Sequence, residues 1–180
     1  SMLSHSHIDE YHSETYGHQK NDPDTNYVKR LLNYFIDYKY REGVIDQLML
    51  IFFPDEKCMV HDFYMTTDEL KVLHNAGMML GSHTVNHPVM SKLKSSEQEI
   101  EIQQSFEMLE QITSVSERTF AYPYGGFHSF NREKEDLLAN HNSIFSFNVE
   151  SRDISLNDIN HREQALPRYD CNEFPYGTVE

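Results

Sequence analysis

Positive charge is scarce in this sequence. Lys and Arg number 15 against 29 Asp and Glu, a formal net charge of −14. Nothing gathers the cations into a patch, so nucleic acid and anionic membrane surfaces are not expected partners, and solubility is the plain meaning of the acid excess. No apolar run approaches the ~18 residues of a membrane-spanning helix, so no membrane span is expected. The only cysteines, Cys58 and Cys171, lie far apart and form no C-x-x-C, which leaves two reduced thiols or one long-range disulfide and keeps the compartment open. No secretory leader opens the chain, and Ser1–Met2 reads as a cloning scar, so the natural protein is expected to start earlier. There are no internal repeats, and 180 residues suffice for one domain with a real core.

Residues 1–24 are polar and contain His5, His7, His12 and His18 without a sustained apolar period. This segment is expected to be solvated, ahead of a single partial α/β domain over 25–180. Val28, Leu31, Leu32, Phe35 and Ile36 recur at helical spacing, predicting an amphipathic helix from Thr25 to near Gly43. Val44–Phe53 predicts a second helix stopped by Pro54, and Phe53–Met65 a connecting loop. Thr66 or Thr67 opens a helix over Asp68–Asn75, with acids in its first turn and Gly77 as its stop.

A short strand is predicted at Met78–Gly81. A helix then runs from Ser95 or Ser96 to about Ile112, with Ile100, Ile102, Phe106, Leu109 and Ile112 inward and its glutamates on a solvated face. Strands at Phe120–Tyr122 and Ile144–Val149 flank a helix over Asn131–Asn140, and Leu166–Arg168 is a last edge strand. Helix and strand alternate, which predicts parallel strands in an α/β layer architecture; these strands are too few to close a (β/α) barrel.

Chemistry concentrates in two stretches. Gly81-Ser82-His83-Thr84-Val85-Asn86-His87-Pro88 follows the apolar strand and places two imidazoles four residues apart. Two neutral histidines on one short segment make half of a zinc site, and a pair of solvated loop histidines is the alternative. Thr84 is read as a residue that fixes the loop through a backbone hydrogen bond or as an ordinary turn residue, and Asn86 as a turn former. Arg118-Thr119-Phe120-Ala121-Tyr122-Pro123-Tyr124-Gly125-Gly126 is likewise a strand opening into a Pro/Gly turn at its carboxyl end, where active-site loops of parallel α/β folds gather.

His83-Thr84-Val85-Asn86-His87-Pro88 resembles the second motif, H-S/T-x-x-H-P, of the polysaccharide deacetylases (NodB homology, carbohydrate esterase family 4). Arg118–Gly125 resembles their third motif, in the F-A-Y-P-Y-G form of the poly-N-acetylglucosamine-deacetylase-like subgroup. The resemblance covers roughly Met65 to Arg168. It implies the later part of a distorted (β/α) barrel, preceded by a helical insert over Thr25–Phe53. It implies Zn2+ or another divalent transition metal as cofactor, held by His83 and His87, and an N-acetylated polysaccharide or oligosaccharide as substrate. Tyr124 would offer its backbone N–H to an oxyanion, while Tyr122, Pro123 and Gly125 shape the groove wall. Leu166-Pro167-Arg168-Tyr169-Asp170 resembles an L-P-R segment of the same subgroup, which makes Arg168 and Asp170 candidates for orienting a catalytic histidine, with a structural salt bridge as the alternative. An aromatic lining of Tyr122, Tyr124 and Phe127 would suit sugar faces or simply pack.

Two departures stand out. The family's arginine two residues before the motif proline is Ala121 here. Its Asp-Asp motif, source of the base and a third ligand, has no counterpart, because no adjacent aspartates occur in the sequence. The strand bearing that pair is expected upstream of Ser1. Asp62 beside His61 is read as a loop carboxylate, and His128 and His161 match the family's general acid by position only. A deacetylase that is weak or inactive as this chain, a non-catalytic domain binding glycan or a protein, and an α/β domain with structural histidines are the three readings.

Overall fold

The computed structural model describes residues 15–16, 21–53, 55–114 and 116–175. His5, His7, His12 and His18 lie outside the described residues. The chain forms two compact units, Ser1–Thr66 and Thr67–Glu180.

In the first unit, helix α1 (Pro23–Arg30) begins at Asp22, whose carboxylate accepts the N–H groups of Asp24 and Thr25. The helix widens into a π turn over Leu31–Phe35, where the Ile36 N–H donates to Leu31 O at 2.9 Å. Ile36 and Asp37 are extended, and the Asp37 carboxylate accepts the Lys39 N–H to start α2 (Tyr38–Phe52). The helix expected from Thr25 to Gly43 is therefore broken at Ile36–Asp37. A local cap, worth about 1 kcal/mol, restarts the backbone there. Gly43 lies inside α2. The loop expected over 53–65 contains α3 (Glu56–Phe63).

The second unit opens with α4 (Thr67–Asn75). Gly77 stops it at φ +87°, a conformation costly for any residue with a Cβ, while its N–H donates to His74 O and the Met78 N–H to Leu73 O. Helix α5 (Ser95–Thr113) buries Gln98, Ile102, Ser105 and Phe106, which share one face at helical spacing. Ile100, expected inward, is half exposed, since it lies two residues out of that phase.

Strand β1 (Arg118–Ala121) pairs in parallel with β2 (Ser143–Phe147), and α6 (Arg132–Asn140) makes the crossover. The strands expected at Met78–Gly81 and Leu166–Arg168 reduce to single parallel bridges, Ser82 to Phe120 on one flank and Leu166 to Phe147 on the other. The architecture is mixed α/β with parallel strands, as the alternation predicts. Helix α7 (Leu156–His161) follows β2. Cys171 is an exposed free thiol.

The core joins α5, β1 and α6 through Ile102, Phe106, Phe120, Tyr122, Phe130 and Leu138. Phe106, Phe120 and Tyr122 meet edge to face, and Tyr122 stacks on Phe130 with ring centroids 3.8 Å apart. Full burial of each such ring is worth roughly 1.5–3 kcal/mol. These rings anchor β1, and the turn after it is presented from a rigid base.

Candidate functional site

The segment after Ser82 is tied to β1 by main-chain bonds. Ser82 N–H donates to Thr119 O and Ala121 N–H to Ser82 O, both at 2.8 Å. This register brings the next residue, His83, level with the carboxyl end of β1. Its Nδ1 lies 2.6 Å from Ala121 O. A carbonyl only accepts, so Nδ1 carries the proton and Nε2 of the neutral ring keeps its lone pair. The His87 ring stands 4.8 Å from that of His83, edge to face, and the Tyr124 ring also meets His87 edge to face at the same centroid distance. The two motifs thus converge at one place.

The loop conformation is unusual. Thr84 (φ +67°), His87 (φ +50°) and Tyr124 (φ +63°) all adopt left-handed backbone. Such residues cost on the order of 1 kcal/mol or more each and persist where surrounding contacts over-determine them. The Thr84 hydroxyl accepts the His87 N–H at 3.1 Å, the loop-fixing role open to it in the sequence. Asn86 is more than a turn former, because its side-chain amide donates to Glu101 at 2.6 Å. Gly125 follows Tyr124 at φ +62°, and a Cβ there would overlap the Val149 side chain.

Partial loss of hydration holds His83 below the usual imidazole range even though the residue stays exposed; the bond to Ala121 O opposes this and the nearby Arg168 cation adds to it. A neutral imidazole with a fixed tautomer is the form that ligates a metal. Arg168 lines the same cleft of about 370 Å³ as His83, Thr119 and Ala121. Its Nε is buried without a hydrogen-bond partner among the described residues.

The other residues singled out in the sequence fall elsewhere. Tyr122 is 1 % exposed, stacked in the core with its hydroxyl donating to Gln164 O at 2.9 Å, and burial raises its pKa. It supports the wall from behind and presents no face to solvent. Pro123 is buried and Gly125 is buried beside it. Phe127 is half exposed, with the Arg162 guanidinium over its ring at 4.6 Å. Asp170 is exposed and caps the short turn Cys171–Glu173. His161 closes α7 beside a polar cleft with Arg162, and His61 and Asp62 are exposed on α3 in the other unit.

As a metal centre, the described residues supply two nitrogens that fit the role. No group of three or more His, Cys, Asp or Glu side chains that could hold a metal occurs among them.

One residue that holds the histidine loop was missed. Glu101, assigned to the solvated face of α5, accepts the backbone N–H groups of Val85 and Asn86 at 2.8 and 2.9 Å as well as the Asn86 amide. Its signal was helical phase. Gln98, Glu101 and Ser105 stand at i, i+3 and i+7 beside the buried apolar stripe. Ser105 meets Ser82 at 2.6 Å, and Gln98 donates to Met90 O and Leu93 O. One polar row therefore holds the segment from Ser82 to Leu93.

The described unit is thus a parallel α/β layer with a histidine-bearing loop at its strand ends. The polysaccharide deacetylase family model matches residues 44–142, more than half of the chain, and the chain belongs to that family. The match takes in His83, His87 and Tyr122–Gly125; Arg168 and Asp170 lie beyond it. The fold is similar to that of Streptococcus pyogenes deacetylase PplD in complex with acetate, at TM-score 0.53 and 23 % identity, over 59 % of this chain and 44 % of that one. The chain thus spans less than half the length of that protein. No curated protein matches it.

Proposed function

We propose that this chain carries part of the catalytic face of a divalent-metal-dependent deacetylase acting on an N-acetylated amino-sugar polymer, of the poly-N-acetylglucosamine-deacetylase-like subgroup, with its strands contributing to a distorted (β/α) barrel. One observation supports the reading most: the Nδ1 bond from His83 to Ala121 O, which joins the two motifs and leaves Nε2 with its lone pair, with the His87 ring 4.8 Å from that of His83. His83 and His87 are the ligands, with Zn2+ the first candidate. The bound cation would supply Lewis-acid polarisation of the acetamide carbonyl and a more acidic water.

The chain's own residues bind and orient around that centre. The Tyr124 backbone is left-handed between Pro123 and Gly125, and in this reading its N–H would donate to charge developing on the acetamide oxygen. The ring of Tyr124 limits the space beside His87. Arg168, in the same cleft as His83, is a cation able to orient an acidic group. The proton on His83 stays at Nδ1 throughout.

The second reading is a non-catalytic deacetylase-like domain that binds glycan or a protein. What favours it is the lack of adjacent aspartates in the sequence and of a third metal-binding side chain among the described residues. Zinc calorimetry on the chain and on His87→Ala, followed by acetate release from an N-acetylglucosamine polymer with and without chelator, separates the two. Zinc binding lost in the variant, with weak chelator-sensitive acetate release or none, is expected of the deacetylase, because the sequence has no adjacent aspartates. Saccharide binding indifferent to chelator, with no zinc binding by the wild-type chain, would establish the second reading.

A further inference from the structure

Between the two left-handed residues Thr84 and His87, the loop turns its N–H groups outward at Val85 and Asn86, and both end on a single oxygen, Glu101 Oε2. The other oxygen of the same carboxylate takes the Asn86 side-chain amide at 2.6 Å. Three donors on one carboxylate make charge-assisted bonds, stronger than neutral ones and strongly directional. The acid sits on α5, whose inner face is locked in the core by Ile102 and Phe106. Its position is therefore set by the fold and not by the loop. Within the loop, the His87 N–H donates to the Thr84 hydroxyl, and the His87 ring meets those of His83 and Tyr124. Without the carboxylate, the Val85 and Asn86 N–H groups lose the acceptor that ties this backbone to α5. A change of a few tens of degrees at His87 swings its ring away from His83.

We propose that Glu101 is the positioning residue of the His83–His87 pair: an acid that does not touch the metal but sets the backbone from which His87 approaches it. The inference rests on the reading of that pair as metal ligands. It goes beyond the two-histidine motif by adding a carboxylate 14 residues past His87, on a different element. Groups that orient metal-ligating histidines from outside the ligand set change affinity by roughly 10–100-fold when removed.

The test uses zinc ion alone, titrated by calorimetry into the wild-type chain, Glu101→Ala, Glu101→Asp, Glu101→Gln and His87→Ala, with amide hydrogen exchange of Val85 and Asn86 read in parallel. Glu101→Ala is expected to bind zinc ~10–100-fold more weakly and to lose protection at both amides. Glu101→Asp keeps the charge and the solvent-facing polarity of α5 but falls one methylene short, so it should lose on the order of 10-fold and decides the matter if the alanine variant fails to fold. Glu101→Gln should stay near wild type, because one amide oxygen still accepts both backbone N–H groups and the Asn86 amide can turn to accept from the glutamine. Unchanged zinc affinity in Glu101→Ala or Glu101→Asp, while His87→Ala loses it, would overturn the role of Glu101 and leave the metal reading standing. No zinc binding by the wild type, with Val85 and Asn86 protected all the same, would overturn the reading of His83 and His87 as a metal site in this chain and reduce Glu101 to a loop anchor.

Discussion

Gly125→Ala tests the geometry of the turn after β1 most directly. Two costs add there. The residue sits at φ +62°, where a Cβ clashes with its own carbonyl at about 1–2 kcal/mol. The new methyl would also overlap Val149 Cγ1 and stand 3.2 Å from both Val149 Cβ and Val149 N. Overpacking of that kind costs about 1–3 kcal/mol when neighbours must move. Val149 is 39 % exposed and so can give way in part, which places the sum at about 2–3 kcal/mol. In a chain of this size that is roughly 5–10 °C in the unfolding midpoint.

The assay is urea unfolding of Gly125→Ala in the wild-type and the Val149→Ala backgrounds. Removing Cγ1 abolishes the overlap but leaves the backbone term, so the glycine substitution should then cost only about 1 kcal/mol, a coupling of about 1–2 kcal/mol between the two sites. Equal costs in both backgrounds would refute the contact. A cost below about 0.5 kcal/mol in the wild type would refute the left-handed turn itself, and with it the placement of Tyr124 beside His87.

Two further outcomes follow from charged groups away from the histidines. Glu135 is 3 % exposed and held by the Arg162 guanidinium at 2.7 Å, with Arg132 a longer partner at 3.5 Å. Arg162→Ala should therefore cost about 2–3 kcal/mol in urea unfolding, and adding Glu135→Leu should recover most of it, because the loss is that of an unpaired buried acid; no recovery would mean the pair matters for its own attraction. Asp158 is held well below the usual carboxylate range, first by Arg152 at 2.7 and 2.8 Å, then by the Ser155 hydroxyl and N–H. Its lowered folded-state pKa means stability that is complete above pH ~4, the unfolded value, and is lost as pH falls below it through the folded value. Asp158→Asn should flatten the acid limb of stability against pH below ~4 while leaving its shape near neutrality unaltered; an unchanged acid limb would refute the assignment.

How far the chain could be read before its fold was known depended on distance along the sequence. The helix stop at Gly77 rests on contacts within a few residues, and so does the alternation of helix and strand; these were legible, whereas the helix expected from Thr25 starts two residues earlier, capped by Asp22. The H-x-x-x-H spacing and the Pro/Gly turn after Ala121 were equally local. Their family resemblance agrees with the family match over 44–142. Misreadings arose where phase or packing decided. Ile36 and Asp37 fit a helical apolar pattern but take extended backbone, and Ile100 matches the apolar composition of α5 but not its buried face.

The sequence by itself determined which residues are available for chemistry here: two imidazoles on one short segment, a Pro/Gly turn after a short strand, an arginine near the end, and no adjacent aspartates. The tertiary structure alone decided which atoms meet. The carbonyl that sets the His83 tautomer is 38 residues away, and the carboxylate that grips the loop is 15 and 16 residues from its backbone donors. Tyr122 and Tyr124 look alike in sequence, yet one is sealed in the core and the other packs on His87. Such contacts depend on helix phase and strand register, which are set only when the core of α5, β1 and α6 closes.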